Sequence, residues 1–172
     1  MLNQVPSHDF VWYAIYTRSR AEKKVYNELL KRNIDTFLPM RTTIRQWSDR
    51  KKKVEVPLFN SYIFVNITDR QHLPVLQVDN VVKFVSFEGK AVPIPPQQIE
   101  AIKAYLGEGA PDYDESGSDL ESGVNIEITR GPMMGLTGVL INLHGKHRVK
   151  VEIECVGQSL LIDVPRTSLR RI

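Results

Sequence analysis

A chain of 172 residues, 42% hydrophobic and 25% charged, carries enough apolar material for one ordinary core or two small ones and falls in the globular class. No apolar run approaches the roughly 18 residues of a membrane-crossing helix, and Met1 to Phe10 lacks the basic-then-apolar layout of a secretory leader, which points to the cytoplasm. The net charge of +3 is unevenly divided: residues 1–106 hold 16 Lys+Arg against 10 Asp+Glu, residues 107–122 none against 6, and residues 123–172 hold 7 against 4. The middle stretch, GEGAPDYDESGSDLES, has almost nothing to bury and repels itself, the composition of a flexible acidic linker. Domains are therefore expected at 1–106 and 123–172, joined by 107–122. The single Cys155 has no internal disulfide partner and is expected to pack as a small apolar residue.

In chain order, Val11 to Thr17 (VWYAIYT) is β-branched and aromatic, a strand. Ser19 and Glu22 then have the spacing of a capping box, which predicts an immediate helix. Ala21, Val25 and Leu29, with Tyr26 and Leu30, form its apolar stripe, and Asn33 is its expected stop. Thr36 to Thr43 and Ser61 to Ile67 read as strands, with the basic stretch between them in a hairpin or loop. A short helix is expected over His72 to Val78 with Pro74 in its first turn, then a strand over Val81 to Phe87. Pro95-Pro96 opens a helix through Ile99, Ile102 and Leu106. This order predicts an α+β fold, a split βαβ (ferredoxin-like) sandwich with helices on one face of a mostly antiparallel sheet.

The last fifty residues change rhythm. Val124 to Thr129, Leu136 to Leu143, His147 to Glu154 and Gln158 to Val164 alternate like strands, with Gly131, Gly135, Gly145 and Gly157 in the turns. A small β-barrel follows, a scaffold that serves protein or RNA binding equally.

Particular residues also carry a family resemblance. Trp12-Tyr13-Ala14-Ile15-Tyr16-Thr17 before a basic helix, Leu38-Pro39, and Pro57-Leu58-Phe59-Asn60-Ser61-Tyr62-Ile63-Phe64-Val65 resemble the N-terminal (NGN) domain of the NusG family. Gly123, Arg130-Gly131-Pro132 and Gly135-Leu136-Thr137-Gly138-Val139 resemble its KOW domain, an SH3-like barrel. Arg45-Gln46-Trp47-Ser48-Asp49-Arg50-Lys51-Lys52 is similar to the UpxY paralogues of long surface-polysaccharide operons, and Pro57-Leu58-Phe59 with Tyr62 also resembles RfaH.

The resemblance implies a monomeric elongation and antitermination factor that reduces pausing. An apolar patch on the N-terminal sheet would dock on the clamp helices of the largest subunit of bacterial RNA polymerase through aromatic anchors. Phe59 and Tyr62 match that patch, Phe84 corresponds to a family aromatic position, and Tyr16 follows from strand alternation. The competing reading puts such aromatics in the core and is preferred for Trp12, Tyr13 and Phe64. His72, at the start of the short helix, would face the gate loop of the second large subunit, although a plain helix start explains it equally well. In the barrel, Leu136 and Thr137 lie in the loop that relatives use to recruit a small-subunit ribosomal protein or Rho. Leu136 stands where housekeeping members carry an aromatic, and Asn60-Ser61 replaces the usual Pro-Gly.

Two cationic clusters suit nucleic acid. Arg18, Arg20, Lys23 and Lys24 open the first helix, while Arg41, Arg45, Gln46, Arg50, Lys51 and Lys52 surround Trp47 in the hairpin. Cations hold phosphates while an indole stacks on an exposed base, whatever its sequence. The family resemblance directs this surface to the non-template DNA strand, or to nascent RNA; the competing reading is a solvated charged face. Catalytic motifs are missing: there is no phosphate loop, no HExxH and no cysteine pair, and His144 and His147 suit a hairpin turn better than a metal. No enzyme activity, cofactor, metal or membrane contact is expected. The alternative function is an RNA-binding module acting on RNA or the ribosome, consistent with the pI of about 9.0.

Overall fold

A computed structural model describes residues 9–107, 123–130, 134–143, 146–153, 158–163 and 168–172, with side chains outside 141–163. Residues 108–122 of the expected linker, Cys155 and His144 lie outside the described residues, as does the side chain of His147. In chain order the elements are β1 (Val11–Thr17), α1 (Glu22–Lys31), β2 (Asp35–Phe37), β3 (Met40–Gln46), β4 (Lys51–Pro57) and β5 (Tyr62–Ile67). A 3-10 turn (Asp69–Gln71) leads into α2 (His72–Leu76), then β6 (Val81–Phe84), β7 (Ser86–Phe87), β8 (Lys90–Ala91) and α3 (Pro96–Gly107). The C-terminal strands are β9 (Asn125–Ile128), β10 (Thr137–Leu143), β11 (Lys146–Ile153), β12 (Gln158–Asp163) and β13 (Leu169–Arg171).

Two compact units result. One joins the chain up to Met40 with Val56–Pro96; the other takes Arg41–Glu55 and Gln97–Ile172. In the first unit, β2, β5, β1 and β6 lie in that order in an antiparallel sheet. β1 and β2 are thus parallel with β5 between them, the split βαβ order the sequence predicts. Ile15, Ile63, Val65, Ile67 and Phe84 on the sheet pack with Val25 and Leu29 of α1 and with Val75 and Val78 in and after α2. The alternation of strand side chains sends Ala14, Tyr16, Tyr62 and Phe64 to the opposite face.

The ends of α1 differ in how well local sequence anticipates them. At its C-terminus Asn33 turns left-handed (φ 57), with Asn33 N–H donating to Leu30 O and Ile34 N–H to Leu29 O, as the expected stop requires. At its N-terminus the expected Ser19–Glu22 box does not form: Ala21 is the cap residue, no side chain caps it, and Arg20 is left-handed (φ 63). A capping box occurs instead at the 3-10 turn, where the Gln71 side chain accepts the Thr68 N–H at 3.1 Å.

Two expected strands are split. Thr36 to Thr43 is interrupted at Leu38-Pro39, because Pro39 has no N–H for a ladder and its carbonyl instead accepts the Leu58 N–H at 2.8 Å. Val81 to Phe87 divides into β6 and the small β7–β8 hairpin, which turns through Glu88 (φ 49) and Gly89 (φ 78).

In the second unit, β3 and β4 form a two-stranded sheet closed by a turn in which Trp47 N–H donates to Arg50 O. α3 buries Ile99, Ala101, Ile102 and Tyr105. The C-terminal strands form an antiparallel sheet in the order β12-β11-β10-β9-β13, and β13 has no counterpart among the expected strands. Gly135 is left-handed (φ +90) in the link between β9 and β10, with no atom of the described residues within 4 Å of where a side chain would project. Gly135→Ala should therefore cost only the backbone term, about 1–2 kcal/mol, read as a lower thermal midpoint with the sheet intact.

Candidate functional site

Tyr16 lies directly opposite Tyr62 across the β1–β5 pair, and the two rings meet edge to face with centroids 5.4 Å apart. Tyr16 is exposed and Tyr62 half-buried, on the sheet face opposite α1 and α2. Across the other edge of β1, Tyr16 pairs with the exposed Lys83. Three strands therefore present a row of one cation and two phenols.

Phe59 does not belong to this exposed row. It is 2% exposed and packs edge to face on Phe64, itself fully buried, while Phe37 stacks on the Phe64 ring at 6.1 Å. The expectation of an exposed Phe59 beside Tyr62 is thereby corrected. The bond from Leu58 N–H to Pro39 O fixes the chain just before Phe59, and its ring fills the core of that face. Phe37 is the aromatic that sequence reasoning misses; only its register opposite Phe64 brings it into the cluster.

Phe84 is also displaced from the expected patch, and His72, expected to face the gate loop, packs against it. Phe84 pairs with Ile15, on the helix side of the sheet, and is 7% exposed. The His72 ring lies 4.7 Å from Phe84 and 4.8 Å from Tyr13, a closed group of three rings. Phe64 is a core residue as expected, whereas Trp12 and Tyr13 are only half-buried.

Burial holds His72 below its ordinary value of 6.5, with Asp69 opposing, and burial followed by Asp69 pushes the Tyr13 hydroxyl up. The folded protein then binds the His72 proton more weakly than the unfolded chain does. Its contribution to stability is complete above the unfolded value and is lost as pH falls through the depressed folded one. His72→Phe should flatten the acid side of the thermal stability profile, while wild type loses stability over that window.

Of the cationic residues, Arg18, Arg20, Lys23 and Lys24 are exposed around the start of α1. In the hairpin, Arg45, Gln46, Arg50, Lys51 and Lys52 are exposed, Trp47 is 56% exposed, and Arg41 is half-buried. The Gln46 amide donates to Trp47 O at 3.1 Å, bracing the turn that displays the indole. In the C-terminal sheet, Leu136 is half-buried with its carbonyl accepting the Ile128 N–H, and Thr137 is exposed opposite Glu127. Among the described residues no group of three or more His, Cys, Asp or Glu is placed to hold a metal, and no helix is long and apolar enough to cross a membrane.

The family model described as transcription termination factor nusG matches residues 10–103, the stretch that carries the tyrosine row and both cationic clusters. The transcription termination/antitermination protein NusG of Lactococcus lactis is 25% identical over 176 aligned positions, covering 94% of this chain and 93% of that protein. Its counterpart in Streptococcus pyogenes serotype M1 is 26% identical over 172 positions, covering 92% and 94%. A solved structure of Thermotoga maritima NusG shares the fold, with a TM-score of 0.58 at 21% identity, over 95% of this chain and 97% of that one. With more than half of its length matched by the family model, this chain belongs to the NusG family.

Proposed function

We propose that this NusG-type transcription factor docks on bacterial RNA polymerase through the Tyr16–Tyr62 row, suppresses pausing and promotes processive synthesis of long operons, those for surface polysaccharides in particular. The observation that carries the reading is the Tyr16–Tyr62 pair, one ring exposed and one half-buried, on the sheet face opposite α1 and α2. Aromatic rings with a polar rim are the usual anchors of protein interfaces, and here they occur within the segment matched by the family model. The clamp helices of the largest subunit are the proposed seat. Phe59, packed on Phe64, belongs to the core of the same face, and contact with the gate loop falls to the short α2 region starting at His72. The factor acts by preferential binding to the closed polymerase, which shifts a population without breaking a bond.

The hairpin supplies the nucleic-acid contact in this reading. Trp47 stacks on a base of the non-template strand or nascent RNA while Arg45, Arg50, Lys51 and Lys52 neutralise phosphates. Residues 123–172 form the KOW barrel, whose Leu136–Thr137 loop recruits a ribosomal partner, and residues 107–122 tether it.

The test is binding to a reconstituted elongation complex with pause lifetimes recorded alongside. Tyr16→Ala/Tyr62→Ala should weaken binding by about 10- to 100-fold and lengthen pauses, with the thermal midpoint nearly unchanged. Unchanged binding in that variant refutes the docking reading, and salt-sensitive RNA binding without polymerase binding would favour the RNA module. Charge removal at Arg45, Arg50, Lys51 and Lys52 should lower the salt dependence of single-strand binding by roughly 0.7 in log–log slope for each phosphate that is no longer neutralised.

A further inference from the structure

Glu22 is a carboxylate at the first position of α1, only 6% exposed. A buried carboxylate needs hydrogen bonds to offset its lost hydration, and a helix N-terminus also favours it. Its Oε1 accepts the backbone N–H of Ser61 at 2.8 Å, a bond spanning 39 residues of sequence. Ser61 is 9% exposed and left-handed (φ 65), a conformation that L side chains resist. Its carbonyl accepts the Thr17 N–H at 2.8 Å. The two residues held in this way, Thr17 and Ser61, are the immediate chain neighbours of Tyr16 and Tyr62.

We propose that Glu22 is the positioning residue of the tyrosine row: its carboxylate holds the strained turn at Ser61, and through it the facing of Tyr62 on Tyr16. The inference rests on the docking role given above to those two rings. The same carboxylate ties the pair to the start of α1, where Arg18, Arg20, Lys23 and Lys24 cluster, so that the protein-docking and phosphate-binding groups of this unit share one anchor.

The experiment measures binding of full-length variants to the reconstituted elongation complex, together with amide exchange at Ser61 and Thr17. Glu22→Ala removes the acceptor and should weaken binding by about tenfold or more, the effect of losing one charge-assisted bond. Glu22→Gln retains an acceptor oxygen and should bind within about threefold of wild type. Glu22→Asp keeps the charge but withdraws it by one methylene, and should behave like alanine. Ser61→Gly in the Glu22→Ala background relieves the left-handed strain and should recover most of the binding. Exchange at Ser61 and Thr17 should quicken at least about tenfold in Glu22→Ala while the β1–β5 centre stays protected.

Wild-type binding by folded Glu22→Ala overturns the proposal, as does a Gln variant as weak as alanine. If Glu22→Ala does not fold, the contrast between Gln and Asp decides in the same way. If Tyr16→Ala/Tyr62→Ala leaves binding untouched, it is the docking reading that fails. The positioning role is then judged on the amides alone, and unchanged exchange at Ser61 in Glu22→Ala refutes it.

Discussion

Phe59→Ala should lower the stability of the N-terminal unit by about 3–5 kcal/mol, the cost of removing a buried ring and leaving a cavity. The ring is 2% exposed and meets Phe64, fully buried and also stacked on Phe37, so truncation strips one wall from a closed aromatic group. Urea unfolding followed by tyrosine and tryptophan fluorescence would read the change directly. At about 25 °C, any weakening of polymerase binding by this variant should scale with its unfolded fraction, whereas Tyr16→Ala/Tyr62→Ala is expected to weaken binding in a folded protein. Phe59→Leu, which keeps most of the volume, separates the two: it should restore most of the stability and, with it, most of the binding.

Gly123→Ala should disrupt the C-terminal sheet. A Cβ at that position would lie 1.6 Å from the Leu140 carbonyl oxygen and 2.8 Å from its carbon, both backbone atoms that no rotamer change can move aside. The strands must separate locally, breaking the neighbouring bond from Leu140 N–H to Val124 O at 3.0 Å. A cost of at least about 3 kcal/mol is expected, beyond ordinary overpacking because the obstacle is main chain. Amide exchange along β9 and β10 should rise in this variant while β1 and β5 keep their protection. Wild-type exchange in β9 and β10 would overturn the expectation. Gly135 differs in kind, since Gly123 is required by space and Gly135 by backbone angle alone.

The residues show why some of this fold is legible in sequence and some is not. Period-two alternation along Val11–Thr17 and Tyr62–Ile67 identifies two central strands, and the helical stripe through Val25 and Leu29 identifies α1, because burial on one face imposes each rhythm. Asn33 works as a stop because its left-handed turn is a local property. The box at Ser19 and Glu22 misleads because a partner 39 residues away captures the carboxylate, whereas Thr68 and Gln71 complete the same motif with no distant competitor. The burial of Phe59 is hidden for the same reason. Phe59 and Tyr62 are three residues apart, yet one is buried and the other lies on the row, a distinction set by Pro39 and Phe64 rather than by neighbours in sequence. The exposed cations and Trp47 are legible because charge alone keeps that hairpin in water.

The strand order of the N-terminal sheet bears on self-association. Its two outermost strands, β2 and β6, are only three and four residues long, and each carries an exposed charge, Asp35 on one and Lys83 on the other. Short charged borders give a second copy little backbone to zip onto, while the long apolar strands most prone to stacking are enclosed between them. A sheet bordered this way can carry an exposed ring such as Tyr16 and still resist growing sideways into fibrils of itself.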